Sequence, residues 1–336
     1  MSFYVVFYSS FMVGMCSTIT TFASQLRGMG QVKRSGIYLN GGRIITTVLS
    51  VPIMLILWFS YDILVAIGQN ETTSLHASRF CKGLVPSVTL YGFTNMHMYY
   101  LNSFHYTRPG LISSVVCIFI QALFCWLCVF KWDLGVLGCG LALSASKIFQ
   151  SAYMWISLYY YEEIREALFW PTWDETQWTY IKQFLYLGAP SLAMSFLEIC
   201  GVELLQPLAG LISVNSSSAQ SICMMLYAGI FIILMGISIA ISIFIGRSVG
   251  QFNVQHARLF GIASLIYCLI VAVLAIIVLL AFNTSIVSAF TSDTTIQQLA
   301  IDGNKILAWC CIPVAVLYSG VGGFRGLGKQ KVAATI

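Results

Sequence analysis

The chain has 336 residues, of which 58% are hydrophobic and only 9% charged, with a formal charge of +5 and a mean hydropathy of +0.84. Soluble domains carry roughly 25% charged residues, so this composition excludes an ordinary globular enzyme and a nucleic-acid binder and points to an all-α polytopic membrane protein. Of the eleven cysteines, most lie in apolar runs, where Cys packs as a small hydrophobe. Cys125 and Cys128 form a C-x-x-C without a second pair or a His cluster, which fits neither zinc nor a redox motif. No cofactor or metal set is indicated, and nothing points to an enzyme.

A membrane span needs about 20 mainly apolar residues. On that rule nine segments qualify, at 3–24, 44–67, 83–104, 111–131, 135–160, 184–212, 219–245, 259–282 and 299–323. The first has no basic n-region or small-residue cleavage site, so it is expected to be a spanning helix rather than a signal peptide. The third is interrupted by Asn95, His97 and Asn102 and must face neighbouring helices or water rather than lipid. With Tyr99 and Tyr100, these residues give it a polar, aromatic face suited to accepting a cation.

Positive charge alternates between the connections. Arg27, Lys33, Arg34, Arg43, Arg108, Arg165, Lys182, Arg247, Arg258, Arg325, Lys329 and Lys331 fall after the odd-numbered spans, which the positive-inside rule makes cytoplasmic, with Met1 outside. The three N-x-S/T sequons, at Asn70, Asn215 and Asn283, fall on the opposite side, in loops too short to be good glycan acceptors. The stretch 161–183 mixes Trp with charges and is expected to be a cytoplasmic amphipathic linker.

Between Phe184 and Ile212 the only formal charges are Glu198 and Glu203. A carboxylate at membrane depth is costly, on the order of 2.5–3.5 kcal/mol for a central Asp, so such residues mark substrate or proton pathways. Five positions apart, they are separated by about 140° around a helix. One is therefore expected to face a cavity and the other to pack within its lobe, with Pro190 and Pro207 able to bend the helix on either side of the pair. Gln206, further along, is a candidate substrate contact, with a helix-to-helix hydrogen bond as the favoured role.

An internal repeat is also visible. GMGQVKRSG, starting at Gly28, has a counterpart in GQFNVQHAR, starting at Gly250, which aligns Val32 with Val254. ILVAIGQNETT, starting at Ile63, has one in IVSAFTSDTTI, starting at Ile286, which aligns Ala66 with Ala289 and Thr72 with Thr295. The two offsets differ by a single position. Six spans lie between equivalent points, so the halves share one orientation and form parallel repeats of six helices each, two pseudo-symmetric six-helix lobes in all. On this expectation 1–160 is an N-terminal lobe lacking its first helix, and 184–336 is a C-terminal lobe lacking most of its last two.

TFASQLRGMGQVKRSGIYLNGGRII (21–45), GAPSLAMSFLEICGVELLQPLAGLI (188–212), ISIAISIFIGRSVGQFNVQHAR (237–258) and SGVGGFRGLGKQKVAA (319–334) together resemble the multidrug and toxic compound extrusion (MATE) family of eukaryotic type. The resemblance implies a secondary-active antiporter, a monomer when complete, that exports organic cations or other xenobiotics in exchange for protons rather than sodium, by alternating access. It would lie in the plasma membrane or an endosomal or vacuolar membrane. By position, Glu198 and Glu203 match the two seventh-helix glutamates that bind cations and couple protons in that family, with Ile199, Cys200, Gly201 and Val202 where the family has an aromatic cluster. The weaker cavity-lining candidates are Gln206, Asn95, Tyr99 and Tyr100. The competing expectations are a lipid-linked sugar flippase of the wider superfamily and a transport-incompetent membrane subunit.

Overall fold

A backbone surrounded by lipid has no water to hydrogen-bond, so it must satisfy its amides internally, and the helix does so within one segment. The computed structural model describes Tyr8, residues 11–168 and residues 175–335, and no strand occurs among the described residues. Two compact units divide the chain, Met1–Phe196 and Leu197–Ile336.

The first unit contains α1 (Phe11–Cys16), α2 (Thr18–Gly28), α3 (Val32–Trp58), α4 (Ser60–Ala66), α5 (Glu71–Leu84), α6 (Val88–Ser103), α7 (Arg108–Trp126), α8 (Gly135–Tyr160) and α9 (Glu162–Arg165). It also holds the first half of α10 (Glu175–Ile212). The remainder of α10 opens the second unit, followed by α11 (Val214–Gly250), α12 (Val254–Ala281), α13 (Asn283–Ser288), α14 (Thr294–Leu327) and α15 (Gln330–Thr335).

Among the described residues, six helices are long and apolar enough to cross a membrane: Val32–Trp58, Arg108–Lys131, Gln177–Ile212, Val214–Gly250, Val254–Ala281 and Thr294–Leu327. The other three expected spans come out differently. The segment 3–24 begins outside the described residues. The segment 83–104 is divided by a 3-10 turn at Val85–Ser87, where Pro86 cannot donate a backbone hydrogen bond. The segment 135–160 is the single 26-residue helix α8, which carries Lys147. Part of the expected linker, 169–174, lies outside the described residues. Its last residues already belong to α10, where Gln177 and Ile181 are buried.

Arg43 corrects the charge reading. It lies well inside α3 rather than in the preceding loop, because α3 starts at Val32 and carries Lys33, Arg34 and Arg43 within its first half. Asn283 is likewise no surface acceptor: it is buried, its amide donates to the Ile301 carbonyl at 2.9 Å, and its oxygen accepts from Asn304 at 3.0 Å.

The backbone breaks of the two units recur at the offset seen in the sequence. After α2 the amides of Met29, Gly30 and Gln31 return to the carbonyls of Gln25, Arg27 and Leu26. After α11 those of Gln251, Phe252 and Asn253 return to Arg247, Val249 and Ser248, so that every donor and acceptor is the repeat equivalent of one in the first turn. Gly30 (φ 73°) and Phe252 (φ 56°) hold the left-handed position of these two turns. Phe252 does so against the cost, roughly 1–2 kcal/mol, that a Cβ adds there.

Beyond them α12 has 28 residues and α3 has 27, which moves every later pair of equivalents one position further apart. The Phe59 and Phe282 amides close the ends of α3 and α12 on Leu55 and Val278. Asn70 caps α5 by accepting from the Thr72 amide at 2.9 Å, and Asp293 caps α14 by accepting from the Thr295 amide at 2.8 Å. His105 (φ 62°) and Gly328 (φ 72°) terminate α6 and α14 with matched bonds to Asn102 and Arg325.

In the first unit a charged cluster fastens α9 to the helix ends. Arg27 donates from Nε and Nη2 to the two carboxylate oxygens of Glu163 at 3.2 and 3.4 Å. Arg27 also donates to the Ser103 carbonyl and lies over the Phe104 ring at 5.1 Å. The Tyr106 hydroxyl donates to Glu163 at 3.1 Å, and its ring stacks on Tyr161 at 3.8 Å. Burial first, and then the Glu163 carboxylate it bonds to, hold the Tyr106 phenol above its ordinary value.

Candidate substrate and ion site

α10 runs without a break through Pro190 and Pro207, so neither proline ends the helix that carries the two glutamates. Glu198 and Glu203 are both partly buried and lie about 140° apart around its axis. Within the second unit, Arg325 from the last turn of α14 and Tyr227 from α11 are ionisable groups whose electrostatic reach includes Glu198. A carboxylate, a guanidinium and a phenol are thus gathered from three helices. Among the described residues Glu203 enters no ion pair. Gln206 is turned toward the next helix, its Nε2 lying 3.0 Å from the Ser217 carbonyl and 2.9 Å from Ser221 Oγ. It joins α10 to α11 beside the corner where Ser213 caps α11 through the Ser216 amide.

In the first unit the polar face expected on the third span is packed inward. Asn95, His97, Tyr99 and Tyr100 are all buried. The Asn95 amide donates to the Tyr91 carbonyl at 2.9 Å, and the Tyr100 hydroxyl meets Ser35 Oγ at 2.7 Å. His97 belongs to a cluster that the sequence pattern did not assemble. Arg43 Nε donates to His97 Nε2 at 3.1 Å, Arg43 Nη1 donates to Asn40 Oδ1 at 3.0 Å, and the guanidinium lies 4.3 Å from the centre of the Trp155 ring. Because His97 Nε2 accepts, the imidazole is the neutral tautomer carrying its proton on Nδ1. No ion pair neutralises Arg43 among the described residues. Its charge rests on neutral acceptors and an aromatic face, which suits an arginine because a guanidinium is more weakly hydrated than an ammonium.

Two signals would have found these residues. Arg43 stands directly before the mainly apolar stretch 44–58, and Arg325 lies one turn before the helix-ending Gly328. Both sit near the predicted ends of spans, so the charge pattern assigns them to the connections. No group of His, Cys, Asp and Glu able to hold a metal ion occurs among the described residues, and all eleven cysteines are free thiols.

The family model described as MatE matches residues 1–127 and 190–336. The chain belongs to the MATE family. Among its relatives, Protein DETOXIFICATION 16 of Arabidopsis thaliana is 29% identical over 338 residues, covering 97% of this chain and 67% of the relative. Protein DETOXIFICATION 39 of the same plant is 25% identical, covering 92% and 60%. Multidrug and toxin extrusion protein 1 of Oryctolagus cuniculus is 23% identical, covering 96% and 56%. The chain thus spans about three fifths of the length of such MATE relatives. In fold it is similar to the eukaryotic MATE transporter AtDTX14, with a TM-score of 0.91 at 22% identity over 100% of this chain and 75% of the other. It is also similar to the Vibrio cholerae MATE transporter VcmN, with a TM-score of 0.89 at 16% identity over 98% and 75%.

Proposed function

We propose that this MATE protein is a secondary-active antiporter that exports organic cations or other xenobiotics in exchange for protons, with Glu198 and Glu203 as its coupling and substrate-binding carboxylates. The observation that carries the reading is Glu198, a carboxylate in an apolar spanning helix with Arg325 and Tyr227 in electrostatic reach. A carboxylate can be neutralised by a proton or by a bound cation, and each lowers its affinity for the other. If each state favours a different conformation, that exclusion couples the two fluxes. The names of the relatives, which speak of detoxification and of multidrug and toxin extrusion, support the substrate class.

Alternating access between two six-helix lobes is supported by the recurrence of helix breaks, caps and left-handed turn residues at the offset of the sequence repeat. The topology we favour puts Ser35 in the cytoplasm and Ser216 on the opposite side, in a plasma, endosomal or vacuolar membrane, with a single protomer as the working unit.

The test is uptake of a fluorescent organic cation by proteoliposomes under an imposed pH gradient. Glu198→Gln and Glu203→Gln are expected to abolish pH-driven uptake while leaving reconstitution intact. Unchanged transport in both variants would remove the proposed site. Uptake driven by sodium alone, with no dependence on pH, would keep the exporter and discard proton coupling.

A further inference from the structure

A cavity of about 420 Å³ opens in the first unit where α3 ends. It is lined by Trp58, Phe59, Tyr61 and Asp62 from the α3–α4 corner and by Leu75, Ser78, Arg79 and Lys82 from α5. Its volume falls within the roughly 300–1,000 Å³ typical of small-molecule sites. Three features mark it as built for a charged guest. Arg79, Lys82 and Asp62 are exposed, and none enters an ion pair among the described residues. Ser78 is only 2% exposed, yet its hydroxyl has no hydrogen-bond partner, an arrangement that buried polar groups rarely tolerate. Lys82 Nζ also lies 5.7 Å from the centre of the Trp58 ring, so a cation already approaches the aromatic wall.

The second unit shows that these charges are not simply a property of the shared backbone. There the repeat equivalents of Arg79 and Lys82 are Asp302 and Lys305, which close an ion pair with each other at 2.9 Å. The first unit has arginine in place of that acid, so two cations stand one turn apart without an internal partner. A helix presents residues three apart on one face, and both side chains line the same cavity.

What approaches the cavity is decided by α3. Val48, Val51, Leu55 and Trp58 are each more than half exposed and recur at spacings that keep them on one side of a helix apolar enough to span the membrane. With α3 spanning a membrane, this stripe is available to acyl chains, and it runs into the cavity through Trp58, an aromatic at the end of a span, where tryptophan favours the headgroup level.

We propose that this cavity binds the headgroup of a zwitterionic phospholipid whose acyl chains lie along the exposed face of α3. Arg79 and Lys82 hold the phosphodiester, and a change of side-chain rotamer brings the enclosed Ser78 hydroxyl out to donate to one of its oxygens. Asp62 and the faces of Trp58 and Tyr61 receive the ammonium. The phosphodiester faces the two cations and the ammonium faces Asp62, so every ionised side chain meets opposite charge and one unit of positive charge is left at the site. A purely anionic headgroup would leave Asp62 facing like charge. The inference rests on the membrane-spanning character of the chain and not on the transport reading.

Native mass spectrometry of the purified protein tests it, counting retained lipid as dioleoylphosphatidylethanolamine or dioleoylphosphatidylglycerol is titrated in, with soluble phosphoethanolamine as a competitor. The protein is expected to retain one ethanolamine lipid in preference to the glycerol lipid. Arg79→Ser and Lys82→Ser should each weaken retention about tenfold, or about 1.4 kcal/mol, while Lys305→Ser in the second unit should not. Asp62→Asn should shift the preference from the ethanolamine to the glycerol lipid without abolishing retention, an exchange of selectivity that misfolding cannot produce. Equal retention of both lipids by the unaltered protein, or retention indifferent to Arg79 and Lys82, would overturn the proposal. Displacement of the lipid by equimolar phosphoethanolamine would overturn the acyl-chain part and leave a site for the soluble headgroup alone.

Discussion

Four glycines near the end of α14 allow a test in which the helix is its own control. A Cβ built on Gly322 would lie 2.6 Å from the Ser238 carbonyl oxygen of α11, and one on Gly326 would lie 2.8 Å from the Ser242 carbonyl oxygen and from Ile245 Cβ. Ordinary contact begins near 3.4 Å, so α11 and α14 would have to part by about 0.6–0.8 Å, and the obstacle is backbone that no rotamer change removes. Gly320 and Gly323, in the same stretch of the helix, have nothing within 4 Å. Overpacking of this kind costs about 1–3 kcal/mol, whereas replacing an open helical glycine by alanine gains up to about 1 kcal/mol of propensity. The difference between the two pairs isolates the clash. At about 2–4 °C per kcal/mol for a unit of this size, Gly322→Ala and Gly326→Ala should melt about 2–12 °C below Gly320→Ala and Gly323→Ala. The assay is thermal unfolding in mild detergent at one fixed scan rate, because unfolding of such proteins is commonly irreversible. If all four variants melt together, the close approach of α11 and α14 is wrong and these glycines do not set it.

The clamp on α9 should behave as one unit. Arg27→Lys loses the two-pronged geometry and Glu163→Gln loses the charge, each lowering the melting midpoint by the equivalent of about 1 kcal/mol at this partly exposed pair. The double variant should fall little further, and strict additivity of the two losses would show that the side chains are not coupled. Because the Tyr106 phenol is raised above its ordinary value, its contribution is present below the unfolded value of about 10 and is lost as pH rises through the higher folded one. Tyr106→Phe should therefore remove part of the loss of stability seen in alkaline melts. His97→Leu takes the acceptor away from Arg43 Nε and should cost about 1–3 kcal/mol. His97→Gln, which keeps an acceptor, should cost less, and equal losses would mean that packing rather than the hydrogen bond holds the site.

Apolar length and turn chemistry are written plainly in a membrane sequence, which is why α3, α7, α10, α11, α12 and α14 were all expected, if with shifted ends. The family likeness was legible for a related reason, since its motifs gather at helix ends where backbone geometry restricts the choice of residue. The shifts themselves have a cause. A hydropathy window stops at a charge, whereas a helix continues through one when the side chain finds a partner. Arg43 finds His97, Asn40 and Trp155, and so α3 begins at Val32, three turns before the apolar run that opens at Ile44. Lys182 lies over the Trp178 ring at 5.4 Å, and α10 accordingly extends well before Phe184. Glu198 and Glu203 were legible as anomalies of composition. Their surroundings were not, because Tyr227 and Arg325 lie on two other helices far along the chain from Glu198, and only the packing of the three brings them near.

The equivalent positions of the two units carry this argument from single residues to the whole chain. Asn283 and Asn304 hydrogen-bond in the second unit, and their repeat equivalents, Ser60 and Cys81, are both buried in the first. Asn70 and Asp293 cap with different side chains and the same geometry. At this helix-ending place the side chain differs and the capping bond is kept. Elsewhere the units diverge freely: Arg27, paired with Glu163, has Val249 as its counterpart, and Arg79, unpaired, has the ion-paired Asp302. The shared turns and caps keep their hydrogen-bond geometry, and the charged side chains around them differ. The places to look for what distinguishes the two units in function are those divergent positions, above all the cavity at Arg79 and Lys82, rather than the turns they share.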